Sequence, residues 1–209
     1  MTRATRIPPG RSGRMWLRRR LATARRGREQ LDRKLRILVP ELERRRLLAA
    51  ACARTWAEAC EVAETWQLRA TLLGGEDAIR GAAASTPVDV DVHWAVTMGV
   101  AYPAETRVVT PAAPAPGPAA NAAVAPAVAA FETALAAGVR SAAAEEAVRR
   151  VESEVAVTRR RLRALDKRWL PWLEQSLAEL ELSLEQAEQE EGARLRLASA
   201  AEPGGRADR

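Results

Sequence analysis

Few side chains in this sequence are of the types that carry chemistry, and their spacing works against most reactions. There is one histidine, His93, and there are two cysteines, Cys52 and Cys60. A metal centre draws three or four ligands from closely spaced His, Cys, Asp or Glu residues. One histidine and two cysteines eight residues apart do not supply such a set. On a helix, Cys52 and Cys60 would stand roughly 12 Å apart, beyond the reach of a disulfide. Reduced thiols and a cytoplasmic location fit this usage. A lone histidine in an alternating, strand-like stretch reads as a surface or edge residue. The sequence has neither a Gly-x-x-x-x-Gly-Lys-Ser/Thr phosphate loop nor a Gly-x-Gly-x-x-Gly turn. Glu174, Glu179, Glu181, Glu185, Glu188, Glu190 and Glu191 recur at helix-surface spacings and read as a solvated face, not a paired-carboxylate site. The expectation is a chain with no active site, metal or cofactor, whose part in any enzyme is mechanical.

The dominant pattern is a seam. From Leu17, steps of four and three residues reach Leu21, Ala24, Arg28, Leu31, Leu35, Leu38, Leu42, Arg45, Ala49, Cys52, Trp56, Ala59, Ala63, Trp66, Ala70 and Leu73. Fifteen of the seventeen are apolar. A repeat of 3.5 residues marks a helix that winds around another helix. Unbroken, it would be on the order of 90 Å long, at 1.5 Å per residue. Pro40 removes the hydrogen bond to the Arg36 carbonyl and predicts a kink within one helix. Arg28 and Arg45 interrupt the apolar seam; they can snorkel, pair with acids or fix register. Periodicity alone leaves open what such a rod does: a structural coiled-coil adaptor and a basic nucleic-acid-associated helical protein remain alternatives.

Charge narrows these alternatives. Residues 1–50 hold sixteen Arg or Lys against four acids, whereas the far end is acidic. Lysine occurs only at Lys34 and Lys167, an arginine bias that fits a GC-rich genome. A basic start suggests nucleic acid, but the aromatic platform of a single-strand binder is missing. No run of 18 apolar residues exists to span a membrane. No apolar segment follows the early positive charge, so no secretory signal is expected.

The middle changes period. From Val88 to Tyr102, valine, tryptophan, methionine and tyrosine alternate with Asp89, Asp91, His93 and small residues, which means strand. Gly99 marks a bulge or an end, and a second run at Thr106–Thr110 completes a β-hairpin. A Pro/Ala-rich loop follows from Pro111. A second long helix carries Val148, Val151, Val155, Thr158, Leu162, Leu165 and Trp169. At Trp169, Leu173 and Leu177 two steps of four make a stutter, with Pro171 inside it. The expected fold is mainly α: two long antiparallel helices form a coiled-coil hairpin, with a short β-hairpin and a Pro/Ala-rich loop inserted between them. Antiparallel pairing lays the Arg-rich start beside the Glu-rich end. The expected segments are a flexible lead (1–13), the first helix (14–73), the insertion (74–126, hairpin about 88–110), the second helix (127–197) and a disordered tail (198–209). The seam residues are Leu17, Leu21, Leu31, Leu35, Leu38, Leu42, Trp56 and Trp66 on the first helix. On the second they are Leu162, Leu165, Trp169, Leu173, Leu177, Leu180 and Leu184.

Three patches add a resemblance. Gly13-Arg-Met-Trp-Leu-Arg-Arg-Arg-Leu-Ala-Thr-Ala-Arg-Arg-Gly27, with Leu31, Lys34 and Leu38 after it, resembles the opening of the D subunit of V/A-type rotary ATPases. Met98-Gly99-Val100-Ala101-Tyr102-Pro103 resembles that family's mid-chain segment. Arg160-Arg161-Leu162-Arg163-Ala164-Leu165-Asp166, then Leu170-Pro171-Trp172-Leu173, is similar to its C-terminal signature, in-helix proline included. The patches fall in the family's order. The chain departs from the pattern at Pro40, at Arg163 where Asn is usual, and in the long Ala/Pro tract at 111–130.

The resemblance implies a component of the central stalk. Its helical pair would be a rotor shaft inside a ring of catalytic A and nucleotide-binding B subunits. It would pair with the small F subunit of the stalk and meet the funnel-shaped subunit above the membrane rotor ring. Rotation would couple ion translocation to ATP synthesis or hydrolysis. The complex would sit on the cytoplasmic face of the plasma membrane, with this chain's membrane contact only indirect and no specific nucleic acid bound.

Overall fold

The computed structural model describes residues 7–82, 87–109 and 121–200. The elements are α1 (Gly10–Ala82), β1 (Asp89–Thr97), β2 (Val100–Val109), α2 (Val124–Ala164), a π-helical turn (Leu165–Trp169) and α3 (Leu170–Ala200). The fold is mainly helical, with one two-stranded antiparallel sheet inserted between the long helices. The expected lead, 1–13, gives way to helix at Gly10, and α3 runs to Ala200. Most of the Pro/Ala-rich loop (110–120), the tail from 201 and residues 1–6 and 83–86 lie outside the described residues.

α1 keeps helical dihedrals through Pro40, which is exposed, so solvent can take the bond that the Arg36 carbonyl loses. Its irregularity comes at Gly75, with φ 68° and ψ −175°, a conformation open to glycine alone. Helix resumes beyond it to Ala82. α2 begins just after Asn121, whose Oδ1 accepts from the Ala123 N–H at 3.0 Å while its Nδ2 donates to the Ala70 carbonyl at 3.0 Å. That one side chain ties the start of α2 to α1.

The alternating stretch from Val88 to Tyr102 is not one strand: Met98 (φ 51°) and Gly99 (φ 81°) fold it back on itself. Two consecutive positive φ values make the two-residue turn whose twist suits a hairpin. Such a turn sets Thr97 opposite Val100 and Val96 opposite Ala101, so the even-numbered residues change face across it although their alternation in the sequence runs on unbroken. β2 therefore starts at Val100 and contains Pro103, beside a bulge where the register shifts between His93 and Trp94. A two-stranded sheet tolerates proline there because that edge needs no N–H donor.

The described residues divide into two compact units, one made of residues 34–158 and the other of the segments before and after. In the flanking unit, Leu17, Leu21 and Ala24 of α1 bury against Leu170 and Leu173 of α3, with Ile7, Trp16, Trp169, Leu177 and Leu180 around them. An ion-pair ladder runs beside this core: Arg11–Glu188 (3.0 Å), Arg18–Glu181 (2.6 Å) and Arg25–Glu174 (2.8 Å). Each step of seven up α1 meets a step of seven down α3. That is antiparallel pairing at the positions flanking a coiled-coil seam. Each exposed pair adds little. Arg18→Gln should cost about 0.2–1 kcal/mol in chemical denaturation, and less as salt rises. A larger loss would mean that the ladder, not the leucine seam, holds the helices.

The stutter becomes the π-helical turn, where the Leu170 N–H reaches the Leu165 carbonyl. Pro171 has no N–H to give. An inserted residue just ahead of it lets the helix pass the proline without a break.

In the unit of residues 34–158, Leu38 and Leu42 of α1, Val100 and Tyr102 of β2 and Ala147, Val151 and Val155 of α2 share one core. A second cluster joins Ala70 and Ala78 to Ala123, Val124 and Ala127, with Trp66 over it.

Candidate functional site

The seam residues divide by burial. Leu17, Leu21, Leu38, Leu42 and Leu173 are buried. Leu31, Leu35, Trp66, Leu162, Leu165, Trp169, Leu177, Leu180 and Leu184 are half-buried. Trp56 differs, being 45% exposed. It lies over Gly138 of α2, where an added Cβ would stand 3.0 Å from the indole nitrogen. A glycine offers one face to the ring and nothing to cover the other. The α2 surface in this unit is a row of small residues: Ala134, Ala137, Ser141, Ala144 and Ala147. Sequence periodicity does not single out this row, since alanine contrasts weakly with its neighbours.

The two seam arginines are both engaged. Arg28 Nε donates to Asp166 at 2.7 Å. The hydrogen bond and charge of Asp166 hold the guanidinium pKa above its ordinary value. Arg45 Nε donates to Glu41 at 2.7 Å and its Nη2 to the Tyr102 hydroxyl at 3.0 Å, while the guanidinium stacks 4.4 Å from the Tyr102 ring centre. The Tyr102 hydroxyl also lies 2.9 Å from Thr97 Oγ1 and 3.4 Å from Glu41.

α2 repeats this device from the other side of the hairpin. Glu146 accepts from Arg150 Nε at 2.6 Å and from Arg149 Nη2 at 2.7 Å. Arg150 then lies 4.8 Å from the Trp94 ring centre and donates to the Ala101 carbonyl at 3.5 Å. Both helices therefore carry a glutamate four residues before an arginine that stacks on a hairpin aromatic. The glutamate restrains the arginine, and the arginine pins the ring by charge–quadrupole attraction. The result is a two-armed clamp that seats the hairpin on the helices. By sequence Arg45 is a defect in the seam, and Glu146 and Arg150 do not stand out at all. The signal available is the matched Glu-x-x-x-Arg spacing, which is common on exposed helix faces.

The clamp sets an acid sensitivity. Burial pushes the Glu41 carboxyl up, but the hydrogen bond and charge of Arg45, aided by Arg44, outweigh it and hold the pKa below its ordinary value. Hydrogen bonds from Arg150 and Arg149 hold Glu146 low as well. With folded values below the unfolded value of about 4.3, the folded state binds fewer protons in that window. The stabilisation is present above the unfolded value and lost as pH falls through the folded one. Tyr102 is the only tyrosine, so its ring NMR signal should shift on acidification below about pH 4. In Glu41→Gln that acid transition should shrink. An unchanged transition would place the acid sensitivity elsewhere.

His93 is exposed on β1, facing Glu105 in register. Cys52 and Cys60 are free and half-buried. Among the described residues no three His, Cys, Asp or Glu side chains gather to hold a metal ion. No helix among them is long and apolar enough to cross a membrane. A shallow cleft of about 300 Å³ lies beside the clamp, between β2 and the two helices.

Compared with known families, residues 15–200 match the model that describes the D subunit of ATP synthase. The chain belongs to the family of ATP synthase D subunits. The match runs from the first seam helix through the hairpin to the end of α3. As a D subunit it is a non-catalytic stalk component of a rotary ATPase and associates with other subunits of that enzyme. Comparison with curated proteins gave no match.

Proposed function

We infer that this D subunit is the central rotor shaft of a V/A-type ATP synthase/ATPase, coupling ion translocation to ATP synthesis or hydrolysis by rotation. The observation that carries the reading is the family match across both long helices and the hairpin between them. The physics of the chain supports it. A leucine seam with an antiparallel ion-pair ladder resists sliding of one helix along the other, as torque requires. Its partners are the catalytic A and nucleotide-binding B subunits, which form the enclosing ring, the small F subunit of the stalk and the funnel-shaped subunit above the membrane rotor ring. Contact with the membrane is indirect, from the cytoplasmic side of the plasma membrane. Exposed apolar side chains support burial in an assembly: Leu68, Leu72 and Leu73 on α1 are 61–77% exposed.

The test is reconstitution. ATP-driven ion transport by the reassembled enzyme should require this chain, while the isolated chain should hydrolyse no ATP. Ion transport at full rate in its absence, or ATP hydrolysis by the chain alone, would overturn the reading.

A further inference from the structure

We propose that a band of unmatched cations in the flanking unit is the docking surface for an acidic protein wall that encloses the helical pair. This deepens the stalk reading above and rests on it: it says where the surrounding partner grips and by what chemistry.

The inference starts from two neighbouring lines on α1. Arg11, Arg18 and Arg25 recur every seven residues, and each is paired with a glutamate of α3. One residue further on, Arg19, Arg26 and Arg33 recur at the same spacing, all exposed, and none has an ion-pair partner among the described residues. The glutamates opposite are taken by the first line. The second helix repeats the surplus. Residues 159–168 hold six cations and one acid, Asp166, which is bound to Arg28. Arg160, Arg163 and Lys167 are exposed and likewise have no ion-pair partner among the described residues. Packing this many like charges together opposes folding through self-repulsion. The seam and the ladder hold the helices without them, so their use lies outside the chain.

Geometry narrows the partner. Arg26 and Arg33 each lie two residues beyond a seam position (Ala24, Leu31), which turns them about 200° away from the seam. Arg160 and Lys167 stand in the same relation to Thr158 and Leu165. Two helices packed seam to seam turn such faces in opposite directions. A flat surface, or a convex nucleic-acid duplex, reaches one face at a time. A concave wall reaches both. Carboxylates suit the band because guanidinium groups bind them in a planar, two-pronged fashion.

The probe is the ATP synthase head assembled from its nucleotide-binding subunits without this chain. Full-length chain is added at increasing salt, and a short DNA duplex serves as a second probe. The variant carries Arg26→Gln, Arg33→Gln, Arg160→Gln, Arg163→Gln and Lys167→Gln together. Its association with the head at low salt should slow by about tenfold or more, with a flatter salt dependence than wild type. Glu185→Gln with Glu190→Gln, which removes acids instead of cations, should not slow association. Wild-type association must itself slow as salt rises, a result that needs no variant. Salt-independent association of wild type, or equal rates for the variant, overturns the band while leaving the stalk reading in place. Tighter binding of wild type to the duplex than to the head overturns the band in favour of nucleic acid. Failure of wild type to bind the head at all overturns the stalk reading and the band with it.

Discussion

Leu38→Ala is expected to destabilise the chain by about 2–5 kcal/mol, from lost transfer energy plus the cavity left behind. The upper half of that range applies because Leu38 is fully buried where three elements meet: α1, the hairpin and α2. Its neighbours cannot close the gap. Val151 and Val155 are β-branched and stiff, and Ala147 is too short. A two-helix seam also has no second layer to draw on. Leu72→Ala, at a residue 77% exposed, should shift stability by about 0.5 kcal/mol or less. Chemical denaturation of the two variants measures the contrast. If the chain is the rotor shaft proposed above, Leu38→Ala in the reassembled enzyme should leave nucleotide binding near normal and lower the ATP turnover coupled to ion movement, because a loosened axle would transmit less torque. Equal stability of the two variants would mean that the seam at Leu38 carries no packing energy.

Glu41→Ala should be the second large effect. It removes the acid that neutralises Arg45, whose side chain keeps only 21% of its exposure. Breaking a buried pair by deleting one partner costs about 3–5 kcal/mol, and some access to water places this case at the low end. Glu41→Gln keeps a hydrogen-bond acceptor and should cost less. The effect should concentrate in the hairpin, because Arg45 no longer held by Glu41 loses its pose over Tyr102. Amide exchange in β1 and β2 should accelerate well before exchange in α3. Glu146→Ala, on the exposed arm of the clamp, should loosen the Trp94 side with a much smaller stability change. Uniform acceleration across all helices in Glu41→Ala would mean a general stability loss and no clamp.

The seam was legible because a knob every 3.5 residues survives single exceptions such as Arg28. Charge polarity along the two helices also announced their direction, and the ladder Arg11–Glu188, Arg18–Glu181, Arg25–Glu174 is its physical form. Other features were hidden for identifiable reasons. The Met98-Gly99 turn sends the even-numbered residues of β2 to the face opposite those just before it in β1, but the alternation of residue types runs through it unbroken and hides the reversal. The expected first helix ended at 73, because the short segment from Glu76 to Ala82 that resumes beyond Gly75 is too brief to show a period. Trp56 fits the seam by spacing, yet its exposure depends on Gly138 opposite, 82 residues away. The clamp was the least visible feature. Arg45 meets Tyr102 across 57 residues, and no local pattern encodes that meeting.

The most direct test of the rotor account is to watch the chain turn. The catalytic head is fixed to a surface and a probe is attached to Asp91→Cys, on the exposed part of β1, in a background with Cys52→Ala and Cys60→Ala. On addition of ATP the probe should rotate stepwise in one direction, at a rate that follows ATP turnover. ATP turned over at the normal rate while the probe stands still or wanders at random would contradict the account.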